Sequence, residues 1–212
     1  MKILSIILSF LSCFAFSQAE SPQVQVESRF LEYAADDAFA ARVQAQLADS
    51  NTGIVTAAQL AELLVEPGNA DILSAPNVTA LSGQEAEIKV VEERFFEPEV
   101  ATEIGVSLAL TPTVVDSGIQ LDVRARIVEF LGFKDADSSP ILRARIIERK
   151  IMLPDGHAVL LPGPAYESTT VIEDCVPVLG SIPLLGRLFR CSRTETTTRN
   201  LLLTISAKQI QP

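Results

Sequence analysis

The 212-residue sequence offers little with which to do chemistry: one histidine, three cysteines, two tyrosines and no tryptophan. No glycine-rich phosphate loop, nucleophile elbow or metal-ligand spacing occurs in it. The lone histidine, His157, follows a turn at Pro154-Asp155-Gly156 with no acid or nucleophile patterned about it, and is expected to be a solvent-exposed turn residue. Glu92, Glu93, Glu97 and Glu99 are close in sequence but lack the regular spacing of a calcium loop, so they read as a solvated loop face. No enzyme, cofactor or metal centre is expected. Asn77-Val78-Thr79 matches a glycosylation acceptor but reads better as the start of a strand.

A basic surplus is missing as well. The 17 lysines and arginines face 27 acids, for a net charge of −10, which becomes more negative once Lys2 is removed. Nucleic acid is therefore an unsuited partner. Beyond the N-terminus there is no apolar run of about 20 residues, the length that spans a bilayer as a helix. Any membrane contact has to come through β-structure or assembly.

The N-terminus itself reads as a secretory signal peptide, residues 1–19. Lys2 precedes a short apolar run from Ile3 to Phe16, and Ser17-Gln18-Ala19 places small residues before a cut after Ala19. Leu11-Ser12-Cys13 resembles part of a lipid-attachment box, although Phe10 stands where such boxes carry leucine. Lipidation of Cys13 is the lesser alternative to its loss with the leader. Export makes Cys175 and Cys191 candidates for a disulfide, which would close a loop of about 15 residues and contribute roughly 3 kcal/mol.

Past the leader the pattern is mainly β. Val24, Val26, Ser28 and Phe30 alternate with polar residues and predict a strand over about 23–33. Asp36-Asp37 then precede Phe39, Ala40, Val43 and Leu47 at helical spacing, a helix of about 36–48 ending near Asn51-Thr52-Gly53. Thr56 is placed to cap a second helix bearing Leu60, Leu63 and Leu64, stopped by Pro67-Gly68. Residues 20–70 thus form a strand and a short helical preface, and residues 71–212 a β domain.

Within that domain three hairpins are expected. Val78–Leu81 turns at Ser82-Gly83-Gln84 into Ala86, Ile88 and Val90; Val106, Leu108 and Leu110 turn at Asp116-Ser117-Gly118 into Ile119–Ile127; Ile141–Leu153 turns into His157–Leu161. Leu201–Ile205 closes the chain as an apolar strand, and Lys134–Ser139 and Ser192–Arg199 read as loops. Phe95, Phe96, Phe130 and Phe133 flank the hairpins, placed either for a core or for a lipid boundary.

One segment does not suit an isolated soluble domain: Val176-Pro177-Val178-Leu179-Gly180-Ser181-Ile182-Pro183-Leu184-Leu185-Gly186-Arg187-Leu188-Phe189. Pro177 and Pro183 fix backbone angles, Gly180 and Gly186 permit tight turns, and Leu184, Leu185, Leu188 and Phe189 form a short apolar face. Residue physics leaves open whether it covers its own core or docks on a neighbour.

This stretch resembles the hallmark of the bacterial secretins, the ring-forming channels of type II and type III secretion. Other blocks agree in order: Ile72-Leu73-Ser74-Ala75-Pro76, Gln84–Val90, Gly105–Val114, Asp155–Leu161 and Asn200–Ile205. The resemblance covers residues 71–210. It implies an antiparallel, secretin-type sheet or barrel and a homo-oligomeric ring in protein export. The ring would lie at the outer membrane or in the periplasm, with other secretion-system components as further partners. In that frame Val176–Phe189 is the docking segment for a neighbouring subunit. The sequence departs from the family with Pro162-Gly163-Pro164, with Ser206-Ala207-Lys208, and with only 14 residues between Val90 and Gly105, so the gate is expected to be short or missing. The preface is also too short for the ring domains that precede a secretin channel. The rival reading is a soluble periplasmic module of secretin type without a conducting pore.

Overall fold

A computed structural model describes residues 21–50, 52–65, 68, 70–96, 100–134, 139–175 and 190–210. The leader, with Cys13 and the cut after Ala19, and the segment Val176–Phe189 lie outside the described residues.

Among the described residues, eleven strands and two helices follow one another as β1 (Gln23–Ala34), α1 (Ala38–Ser50), β2 (Ile54–Thr56), α2 (Ala57–Val65), β3 (Asp71–Ser74), β4 (Asn77–Leu81), β5 (Ala86–Phe96), β6 (Val100–Val115), β7 (Gly118–Phe133), β8 (Pro140–Leu153), β9 (His157–Pro162), β10 (Tyr166–Cys175) and β11 (Arg190–Ile210). Seven strands make one sheet in the order β2-β9-β11-β1-β3, with β4 also on β1 and β10 also on β11; β5-β6-β7-β8 make the other. Every pairing is antiparallel.

The period-two pattern of β1 sets both cores. Val24, Val26 and Phe30 enter the layer between the two sheets, beside Leu201, Leu203 and Ile205 of β11 and Leu108, Leu121 and Val123 of the four-stranded sheet. Leu31 and Tyr33, on the opposite face, join Leu202, Leu160, Phe39, Val43 and Leu63 under the helices. The seven-stranded sheet is thus apolar on both faces. That is why Ala158–Leu161 and Leu201–Leu203 read as unbroken apolar runs rather than alternating ones.

Both helices begin where the sequence signals them. Asp37 Oδ1 accepts from the Phe39 amide at 3.2 Å. Thr56 Oγ1 accepts from the Gln59 amide at 3.3 Å while Gln59 Oε1 accepts from the Thr56 amide at 2.9 Å, a reciprocal capping box. Gly53, at φ 73°, ends the turn after α1, and its carbonyl accepts from Leu160.

The middle hairpin forms as expected and is longer, with Val115 opposite Gly118 across the Asp116-Ser117 turn. The other two expected hairpins do not form. β4 pairs with β1 and β5 with β6; β8 pairs with β7 and β9 with β11 and β2. The turns themselves exist, but each hands the chain from one sheet to the other. Ser82 Oγ accepts from the Val114 amide, and Asp155 Oδ1 accepts from the Gln209 amide, so both turns are tied to strands that are not their neighbours in sequence. Alternation fixes which face a strand buries and leaves its neighbour open.

Ser192–Arg199, expected as a loop, is strand: residues 190–199 of β11 pair with all of β10. Its polar composition reflects exposure rather than irregular backbone, since residues 193–196 are exposed. The division at residue 70 falls within a single sheet, because β1 lies between β11 and β3. Of the 14 residues between Val90 and Gly105, residues 91–96 and 100–104 continue the β5–β6 pairing, up to Phe96 opposite Val100.

Candidate functional site

What sets the four-stranded sheet apart is the exposed apolar side chains along its two outer strands. β5 and β8 each have one partner among the described residues, so each leaves a row of backbone donors and acceptors open along its outer edge. Apolar side chains are exposed along them: Val90, Val91 and Phe95 on β5, and Ile141, Leu142, Ile146 and Met152 on β8. Edge strands of monomers rarely carry such residues, because they invite pairing with another chain.

The sheet is polar where it turns away from the core. Lys89 lies 3.1 Å from Glu103 and 3.8 Å from Glu87, Arg124 lies 3.4 Å from Glu148, and Lys150 lies 3.6 Å from Asp122. These exposed pairs are worth little singly in stability. They do fix where charge of each sign sits along the two edges. Glu92 and Glu93, expected on a loop, belong to β5; Arg94 Nε donates to Glu92 at 3.0 Å and holds that carboxyl below its ordinary value.

At one end of the sheet, aromatic residues gather. Phe96 stacks on Phe130 with centroids 5.3 Å apart, and Phe133 meets both edge-on at 6.0 and 5.1 Å. Phe96 is buried there, whereas Phe95 and Phe133 are exposed. The four phenylalanines thus divide between packing the hairpin ends and facing outward. Gly105 in β6, at φ 136°, is where β6 crosses closest to β5: a Cβ there would collide with the Val90 carbonyl.

Sequence reading missed the charged cluster that fastens the two sheets. Arg145 of β8 is 4% exposed; its Nη2 donates to Glu32 Oε2 of β1 at 3.0 Å and lies 3.0 Å from Glu129 Oε1 of β7. The Tyr166 hydroxyl of β10 donates to Glu32 Oε1 at 2.7 Å, and Arg199 of β11 lies 3.5 Å from the same oxygen and 2.8 Å from Asp71. The Arg143 guanidinium covers the Tyr166 ring at 3.8 Å. Burial, followed by the hydrogen bond to Glu32 and the nearby carboxylates, pushes the Tyr166 hydroxyl up to about 12. Six strands from both sheets therefore meet in one ionic knot. A signal was present: Glu32 shares the parity of Val24, Val26 and Phe30, and Arg145 that of Ile147 and Leu153, so each is a charge on an apolar face.

Of the residues singled out by sequence, Val176, Pro177, Leu179, Gly180, Ile182, Pro183, Leu184, Leu185, Gly186, Leu188 and Phe189 lie outside the described residues. The backbone register sets Cys175 against Arg190 and Cys191 against Asp174, so the two cysteines lie one step apart across the ribbon. His157 opens β9 opposite Thr56 and is half-buried, with its Nδ1 3.1 Å from the Asp155 carbonyl. Among the described residues no group of three or more His, Cys, Asp or Glu side chains is placed to hold a metal. No described helix is long and apolar enough to cross a membrane.

Known proteins share this arrangement. The family model Secretin, described as bacterial type II and III secretion system protein, matches residues 63–211. Secretin XcpQ of Pseudomonas aeruginosa is 30% identical over 152 residues, covering 63% of this chain and 23% of XcpQ. The type II secretion system secretin GspD of E. coli K12, solved by cryo-electron microscopy, superposes with a TM-score of 0.53 at 20% identity, over 91% of this chain and 51% of that one. PulD, in the Klebsiella pneumoniae type II secretion system outer membrane complex with PulS and the PulC HR domain, superposes with a TM-score of 0.54 at 18% identity, over 91% and 41%. The chain spans about a quarter of the length of the curated relatives it matches. With a family match over most of its length and the fold of the solved secretins, the chain belongs to the secretin family.

Proposed function

We propose that this chain is a wall-forming subunit of a homo-oligomeric secretin ring in bacterial protein secretion, placed at the outer membrane and acting by passage rather than by catalysis. The observation that carries the reading is the four-stranded sheet with two open, apolar edges. An even number of antiparallel strands lets β8 of one protomer meet β5 of the next with the antiparallel pattern unbroken, so repetition yields a closed wall with no edge left. Residues 91–96 pair with residues 100–105 in the β5–β6 hairpin, which favours a wall without a separate gate at that place.

In this reading Val176–Phe189 is the docking segment that follows β10 and precedes β11, and a Cys175–Cys191 bond would pin its base. Non-reducing mass spectrometry of protein taken from the periplasm tests the bond; two free thiols would rule it out. Further partners are other secretion-system components, in keeping with the company of PulD in its solved complex.

A soluble periplasmic module is the second reading, favoured by the charged outward face around Lys89, Glu103, Arg124 and Glu148. Native mass measurement and negative-stain imaging of detergent-extracted protein separate the two. Rings are expected, and a stable water-soluble monomer would overturn the ring.

A further inference from the structure

The two open edges of the four-stranded sheet complement one another in one register. We propose that β8 of one protomer pairs with β5 of the next in a staggered register that sets Glu148 opposite Lys89 and Lys150 opposite Glu87, an inference that rests on the ring reading above. Across the sheet of one protomer, Glu87, Ala109, Arg124 and Glu148 stand at one level. An unstaggered joint would therefore face Glu148 with the neighbouring protomer's Glu87, and Ile146 with its Lys89. Like charges directly opposite are destabilising.

Sliding the joint by two residues keeps every side chain on its own face. Both carboxylates then meet ammonium groups. The same slide sets Ile146, 54% exposed, against Val91, 36% exposed, and Leu142, 38% exposed, against Phe95, 71% exposed. The alternatives fail on charge: a two-residue slide the other way brings Glu148 to Glu85, and a four-residue slide brings Lys150 to Lys89. In the favoured register Arg143 meets Arg94, but these guanidiniums already have carboxylates of their own, Glu129 at 3.8 Å and Glu92 at 3.0 Å.

The joint also extends interactions that exist within the protomer. Lys89 is held by Glu103 and Glu148 by Arg124, so their meeting links two local clusters into a belt of alternating charge running around the ring. A stagger at each joint is what closing a sheet into a barrel requires.

The test is cysteine cross-linking in the full chain carrying Ile146→Cys and Val91→Cys. Within one protomer these positions stand three strand spacings apart, roughly 14 Å, too far for a disulfide. Mild oxidation of membranes should give a ladder of covalent oligomers, and tryptic mass spectrometry should find the bond between positions 146 and 91, apart from any bond at Cys175 or Cys191. Ile146→Cys paired with Lys89→Cys or Glu93→Cys should give no ladder. Rings that form but cross-link through position 89 or 93 overturn the register and leave the ring reading standing; absence of rings from the unmodified chain overturns both. As a second arm, Lys150→Glu should reduce ring yield and Glu87→Lys in the same chain should restore it. Failure of the restoration contradicts the pairing.

Discussion

The two sheets treat an apolar face in opposite ways, although both keep outer strands with a single partner among the described residues. The faces of the seven-stranded sheet are finished within the protomer: helices cover one face, the other sheet covers the second, and Leu201, Leu202, Leu203 and Ile205 are all fully buried. The four-stranded sheet buries only the part of its inner face that lies over β1, β9 and β11, and ten of the thirteen exposed large apolar residues among those described belong to it. One sheet has both faces covered within the protomer, and the other exposes the apolar surface that the proposed neighbour would cover. The ribbon of β10 with residues 190–199 belongs with the second kind, since two strands alone are marginal in water.

The sharpest way to break the contrast is at the knot joining the sheets. Arg145→Ala leaves Glu32 and Glu129 without their shared cation, and should cost about 3–5 kcal/mol in denaturant unfolding, whereas replacing all three by apolar residues of similar volume should restore most of that stability. The next largest effect separates base from edge. Leu203→Ala opens a cavity between the sheets and should cost about 2–5 kcal/mol. Ile146→Ala, on the open edge, should leave unfolding of the protomer unchanged within about 0.5 kcal/mol and show itself only in ring yield. Equal costs at the two positions would erase the distinction.

Smaller effects sharpen it on the helical side. Thr56→Ala removes the reciprocal cap of α2 and should cost about 1 kcal/mol with no effect on assembly. The smallest concerns Tyr166, whose hydroxyl titrates in the folded protein at about 12 rather than near its ordinary 10.0. The folded state favours the protonated hydroxyl, so this contribution is whole below about pH 10 and is lost as pH rises toward about 12. Tyr166→Phe should flatten the alkaline limb of a stability–pH curve; Tyr33, raised by burial in the same direction, stays in both proteins and accounts for the remaining slope.

Much of this was legible because it is local. The alternation in β1, the caps at Asp37 and Thr56, and the turn at Asp116-Ser117 each lie within a few residues of the structure they specify. Pairing was not legible in the same way. β4 and β5, and likewise β8 and β9, carry strand patterns around good turns, yet each pair parts company because a distant strand offers a better partner. The polar residues 192–199 looked like a loop because a ribbon exposed on both faces has no alternation to show. Glu32 and Arg145 are separated by more than a hundred residues, and only their parity hinted that two charges had to find each other. Val176–Phe189 is conspicuous in the sequence for a related reason: its apolar residues follow no period, so the sequence names no face for them to bury against.

Completion of the β5 and β8 edges by neighbouring protomers is measured most directly, strand by strand, by amide hydrogen exchange on assembled protein. The outward-facing amides of β5 and β8 should be protected as strongly as those of β6 and β7 in the assembly and exchange freely in the dissociated protomer. Edge amides that exchange equally fast in both states would contradict it.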